Sequence, residues 1–142
     1  MKVVDLNLLL YAVNRDDERH ARARTWLEKV LNGDEPVGLP WIVLLGFLRI
    51  ATNPRVFARP LSSTEAIALV DAWLSRPPVS ALAPGDGHWL ILRSLLADRP
   101  GVGVIATDAH LAAIAIEHGA ELCSSDADFR RFEGLRWVNP IA

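Results

Sequence analysis

The sequence predicts an α/β fold, a central and mostly parallel sheet with helices on both faces. Two observations carry that expectation. Short apolar runs, the length of buried strands, alternate along the chain with longer segments of helical periodicity. The 142 residues are also 51% hydrophobic and 23% charged, enough for one domain that buries roughly two thirds of its unfolded surface.

Each element has a local reason. Residues 2–5 form an apolar run ending in an acid and read as a buried strand; residues 6–13 read as a helix. Residues 16–31 carry Ala23, Trp26, Leu27, Val30 and Leu31 at helical spacing, and Asn32-Gly33 stops them. Pro40 suits the first turn of a helix running to about residue 52, ended by Asn53-Pro54. Ser62 caps a helix over 62–75, with Glu65 completing a capping box and Pro77-Pro78 closing it. Residues 79–82 are a strand and 86–97 a helix. Residues 102–106 read as a strand and 108–118 as a helix stopped by Gly119. Two more strands follow, 121–124 and 136–138. No linker, repeat or low-complexity tract interrupts residues 1–142, so a single domain is expected.

Composition narrows the function. The single cysteine, Cys123, excludes an internal disulfide and a multi-cysteine zinc site. With no apolar leader and no run long enough to span a bilayer, a cytoplasmic protein without a membrane partner is expected. The net charge of -2 excludes a nucleic-acid binder that relies on bulk charge. Thirteen of the fifteen cations are Arg, however, the residue suited to bidentate phosphate contacts.

Parallel sheets place ligands at the carboxyl ends of their strands, and three of the five expected strands run into acids. The first ends at Asp5. The strand 102–106 precedes Thr107-Asp108, and 121–124 precedes Ser125-Asp126, with Asp128 beyond. Singly, each acid has an ordinary role, Asp5 and Asp108 as helix caps and Asp126 and Asp128 as turn residues. Gathered on one sheet edge, they repel one another until a cation relieves them. Oxygen ligands without a His or Cys cluster suit Mg²⁺ or Mn²⁺. Such a cation polarises phosphate and activates water for phosphodiester hydrolysis.

The opening VVDLNLLLYA resembles the first motif of PIN-domain nucleases, and ATDAHLAAIAIEHGAELCSSDADFRRFEGLRWVNP resembles their C-terminal third. PWIVLLGFLRIATNPRVF is similar to the middle helix of the VapC toxins of bacterial toxin–antitoxin pairs, especially a mycobacterial group. The resemblance implies a three-layer α/β/α sandwich and a homodimer. It implies a Mg²⁺- or Mn²⁺-dependent endoribonuclease whose site a cognate VapB antitoxin blocks. It puts Asp5 at the family's first acidic position, Asp108 at the third and Asp126 at the fourth, with Asp128 an accessory. The catalytic and metal-holding set is then Asp5, Asp108 and Asp126, joined at the metal by Asp128.

The family's second acid, a Glu in the middle helix, is Gly46 here. Gly inside a helix costs roughly 1 kcal/mol against Ala, so propensity did not select it. It either admits a closely packed neighbour or leaves room for a water. Glu117 does not replace the missing acid: nine residues from Asp108 on a helix, it faces the other way, about 13 Å along the axis. The expected site holds its cation with fewer carboxylates and more water. The alternative reading, also motivated by Gly46, is a PIN-like protein of weakened or lost catalysis that binds RNA or its antitoxin. A receiver domain lacks its late Lys here, and Asn7 argues against the general acid of an aspartyl phosphatase.

Several neighbours are candidates for support. Arg49, one turn after Gly46, grips a phosphate or pairs with a site acid, or else makes a surface salt bridge. Asn7 bonds a site water or carboxylate, or caps the helix. Thr107, Ser124 and Ser125 offer hydroxyls beside the acids. The four His lack ligand spacing, the five Trp are too dispersed for base stacking, and Cys123 reads as a buried filler.

Overall fold

All 142 residues are described by a computed structural model. In chain order the elements are β1 (Lys2–Val4), α1 (Leu6–Val13), α2 (His20–Leu31), β2 (Val37–Pro40), α3 (Trp41–Ala51) and α4 (Ser63–Leu74). Then come β3 (Val79–Leu82), α5 (His88–Leu96), α6 (Val102–Glu117), β4 (Glu121–Cys123), a 3₁₀ segment Ala127–Arg131 and β5 (Arg136–Val138). The five strands form one sheet in the order β3-β2-β1-β4-β5, and every neighbouring pair is parallel.

The strand order assigns the layers. From β1 the chain steps outward to β2 and β3, through α1–α2 and then α3–α4. It then returns past β1 to β4 through α5–α6. Crossovers between parallel strands are right-handed, so reversing the direction of travel puts α5 and α6 on the opposite face from α1–α4. The packing agrees: α1 meets α2 and α3, α3 meets α4, and α5 meets α6. The α/β/α sandwich expected from the sequence is therefore present. A cluster of 30 buried residues fills it, with Val3, Val4, Leu122 and Cys123 of the central strands wholly buried.

Two elements differ from the sequence reading. Residues 102–106 are not a strand; they are the first turns of α6, which runs unbroken to Glu117. The β-branched run Val102, Val104, Ile105 carries a strand signal, but the apolar spacing continues through Ala109, Ala112, Ala113 and Ile116. Burial of Ile105, Ala109 and Leu111 to Ala115 on one long helix overrides the local preference. The missing strand is β2, whose Gly38 and Pro40 disguise it. Pro40 ends that strand and also stands at the N-cap of α3. Gly38 is closely packed: a Cβ there would lie 2.2 Å from Leu82 Cδ1 on β3, so the leucine side chain would have to move. The helices foreseen over 16–31 and 86–97 begin later, at His20 and His88, while the Ser62–Glu65 capping box forms as read.

Glu117, set aside as a site acid, instead ties α6 to the approach to α5. Its two carboxylate oxygens accept from the N–H groups of Gly85 and Gly87, at 2.8 and 2.9 Å. Beside that latch, His88 Nε2 and His110 Nδ1 share a 2.9 Å hydrogen bond. His88 Nδ1 is buried without a partner. A bare ring nitrogen costs less there than an orphaned N–H, so His88 Nε2–H donates and His110 Nδ1 accepts. Burial, and then the facing His88, hold the His110 pKa below the ordinary 6.5.

Two outcomes follow from this packing. Gly38→Ala should lower the urea-unfolding free energy by about 1–3 kcal/mol, and the loss should be less than additive with Leu82→Ala, because the two atoms collide. The folded state binds fewer protons at His110 than the unfolded chain, so its stabilisation is complete above pH ~6.5 and is lost as pH falls through the depressed folded value. Urea unfolding of His110→Asn should show a shallower decline between pH 7 and 5 than the unaltered protein; an identical decline would remove His110 from the account.

Candidate active site

The reversal of strand order falls between β1 and β4, which pair Val4 with Cys123. A sheet of this type opens a crevice at such a reversal, beyond the carboxyl ends of the strands. Asp5 and Ser124 are the first residues past those two ends. The Asp5 N–H donates to the Cys123 carbonyl at 2.9 Å, which extends the ladder into the crevice.

Asp5 combines the two roles that its position suggested. Its Oδ1 accepts from the Leu6 N–H at 2.7 Å and caps α1. Its Oδ2 accepts from the Ser124 hydroxyl at 2.7 Å. The Ser124 Oγ also accepts from Asn7 Nδ2 at 3.1 Å and from the Asp126 N–H at 3.0 Å. Asn7 thus neither caps the helix nor touches a carboxylate; it orients the serine that does. Its Oδ1 accepts a longer bond, 3.4 Å, from the Ser125 N–H. Asp126 opens the 3₁₀ segment, and its Oδ1 accepts from the Asp128 N–H at 2.9 Å. Asp128 is exposed at the rim.

Asp108 arrives from a different element than the sequence indicated. It stands in the second turn of α6, not after a strand. Arg131, at the end of the 3₁₀ segment, donates to Asp108 Oδ2 at 3.1 Å. Sequence reasoning missed Arg131, because 23 residues separate the pair and neither position has helical or strand spacing to the other. Thr107 is exposed and makes no side-chain hydrogen bond, and Arg49 is exposed and forms no ion pair.

The acids bear on one another electrostatically. Burial pushes the Asp5 carboxyl above its ordinary value. The Ser124 hydroxyl and Leu6 N–H pull it back, and the charges of Asp108 and Asp126 raise it again. Asp108 is raised by burial and then by Asp126 and Asp128, with Arg131 opposing. The ligand chemistry suits a hard divalent cation that relieves this repulsion. As the side chains stand, no group of three Asp, Glu, His or Cys is set closely enough to hold a metal ion. The donor set suits a hard cation by its chemistry, and the acids would have to draw closer together to hold one.

Gly46 is buried on α3, and the choice between a close neighbour and a water resolves in favour of the neighbour. A Cβ at Gly46 would lie 2.8 Å from Leu6 Cδ2. The remaining candidates are bystanders. Burial raises the Cys123 thiol pKa to about 12, so the sulfur is inert. His20 and His118 each bond a backbone carbonyl. A cavity of about 550 Å³ between α1, α2 and the segment after α3 is lined by none of the site acids; Arg24, Phe57 and Trp73 are among its walls.

Comparison with known proteins agrees with this architecture. The PIN domain model matches residues 2–135. Ribonuclease VapC43 of Mycobacterium tuberculosis is 46% identical over 141 residues, covering 99% of this chain and 96% of the relative. Ribonuclease VapC37 of the same species is 46% identical over 143 residues, covering 100% and 99%. Among solved structures, VapBC2 from Rickettsia felis bound to a promoter DNA fragment superposes with a TM-score of 0.72 at 18% identity, covering 97% of both chains. VapC20 of M. tuberculosis, a sarcin–ricin loop cleaving toxin, gives 0.68 at 18%, covering 96% and 99%. The sheet order, the acids at its reversal and the full-length likeness lead to one assignment: the chain belongs to the PIN-domain family, in the branch of the VapC ribonucleases.

Proposed function

We propose that this chain is the endoribonuclease toxin of a VapBC-type toxin–antitoxin pair, acting in the cytoplasm on RNA. The observation that supports this is the Ser124 hydroxyl joining Asp5 to the Asp126 backbone at the sheet reversal, with the charge of Asp108 bearing on Asp5. The reading of a protein that has lost catalysis is disfavoured by relatives named ribonucleases at 46% identity over the whole chain.

Asp5, Asp108 and Asp126 are the residues that would hold Mg²⁺ or Mn²⁺, with Asp128 at the rim. The cation supplies Lewis-acid charge at the scissile phosphate and makes water nucleophilic near neutral pH. The chain's own groups do the rest. The Leu6 N–H and Ser124 hydroxyl fix both oxygens of Asp5, so its free lone pairs point into the crevice. Asn7 and the Asp126 N–H lock the serine rotamer. Leu6 occupies the space beside Gly46, so α3 offers no carboxylate on that side and the cation would rest on Asp5, Asp108 and Asp126 alone. Arg130 and Arg131 follow the acids directly and offer local positive charge to the RNA backbone, which a net charge of -2 does not. A VapB-type antitoxin is the expected partner, since a VapBC complex has the same fold.

A second copy is the other expected partner. Trp41 and Leu45, one turn apart on α3, are more than half exposed, as are Trp89 and Leu90 on α5 and Val104 on α6. The α3 pair and the α5–α6 residues lie in opposite layers, and Trp41 with Leu45 is the pair proposed to meet a second copy.

Pooled tRNA and rRNA should be cleaved by the protein in Mg²⁺ or Mn²⁺ and spared in EDTA. Asp5→Asn should fall to background, and Ser124→Ala should lose about 10- to 100-fold by releasing Asp5; full activity in Asp5→Asn would end the proposal. Light scattering should give a mass near twice 15.6 kDa, and Leu45→Glu should shift it to the monomer if α3 forms the interface.

A further inference from the structure

Among the site carboxylates, only Asp108 touches a cationic side chain, and that side chain is Arg131. The geometry of the pair is unusual for a purely structural link. A single guanidinium nitrogen reaches a single carboxylate oxygen, at 3.1 Å. The other N–H donors of Arg131 make no recorded hydrogen bond, although the group can bind planar anions through two at once. Both side chains are about one third exposed, 32% for Arg131 and 36% for Asp108, so solvent screens the pair and the contact is easily exchanged. The root of Arg131 is nevertheless fixed. Its carbonyl accepts from Arg99 at 2.6 Å, and both guanidinium groups lie over the Phe132 ring, at 5.5 and 5.1 Å. The guanidinium face rests on the Phe132 ring while only one N–H of its edge is engaged, at Asp108, so the edge can change partners.

We propose that Arg131 has two stations: it competes with a divalent cation for Asp108, and when the cation takes that carboxylate the guanidinium turns to the phosphate backbone of bound RNA. A guanidinium touching Asp108 is already beside any phosphate drawn to a cation there, so the exchange needs side-chain rotation only. Arg131 is thereby a substrate-binding residue whose availability is coupled to cation loading. The RNA half of the inference rests on the ribonuclease reading; the competition for Asp108 does not.

Two measurements on the full chain test it. Calorimetric titration with Mn²⁺ should show Arg131→Gln binding about two- to five-fold more tightly than the unaltered protein, the factor a part-exposed ion pair supplies. Arg131→Lys, which keeps the charge, should stay near the original affinity. Fluorescence anisotropy of a labelled single-stranded RNA in EDTA supplies the second readout. There, Arg131→Gln should weaken binding at least three-fold more in an Asp108→Asn background than alone, because loss of the carboxylate frees the guanidinium. In that background the salt dependence should fall by about 0.7 of a logarithmic slope, one phosphate contact on a single strand. Unchanged or weaker Mn²⁺ binding by Arg131→Gln, or equal RNA losses in the two backgrounds, would overturn the proposal. If the unaltered protein cleaves pooled RNA while Arg131→Gln leaves Mn²⁺ binding unchanged, only the role of Arg131 fails. If it neither cleaves RNA nor binds the probe, the ribonuclease reading fails as well, and the RNA station with it.

Discussion

Ser124 has no exposed surface, and its hydrogen bonds hold the acid site together. Its N–H donates to the Val138 carbonyl, and its own carbonyl accepts from the Trp137 indole at 3.1 Å, so β5 grips the backbone on two sides. Its hydroxyl donates to Asp5 and accepts from Asn7 and Asp126. One buried residue therefore links β4, β5, the start of α1 and the 3₁₀ segment. A buried polar network is valuable when every member is satisfied and costly when one is missing. Arg130 stacked over Trp137 closes the outer side of the same clamp.

Much of this was legible in the sequence, and the gaps have physical causes. Asp5 and Asp126 were found because their positions depend on local features: an apolar run that ends, and a turn. The Ser62–Glu65 cap was equally local. Asp108 was attached to a strand that does not exist, since five β-branched or small residues look alike at the start of a helix and in a buried strand. Strand β2 was hidden because Leu82 packs closely against a glycine, the residue that argues against a strand. The Asp108–Arg131 pair, the His88–His110 bond and the Glu117 latch are all contacts at a distance of 22 to 32 residues. No periodicity records them, so only the folded chain displays them.

The charge balance poses a problem that the fold solves locally. A cluster of carboxylates repels the polyanion on which it is meant to act, and the chain as a whole is slightly acidic. The compensating arginines are concentrated just past the acids, and each is tied down by something other than a carboxylate pair alone. Arg131 has its carbonyl bound by Arg99 and its guanidinium over Phe132, and Arg130 lies over an indole. Fixing long cations through backbone and ring contacts reduces the side-chain entropy lost when an anion arrives.

The Leu6–Gly46 contact reaches beyond packing. Leu6 holds Asp5 with its backbone N–H while its side chain fills the hollow beside Gly46. These two positions therefore form an epistatic pair that includes the first acid. A carboxylate introduced at position 46 must displace the Leu6 side chain, and the disturbance lands on the residue that caps Asp5. The same change after Leu6 has been shortened meets an empty hollow.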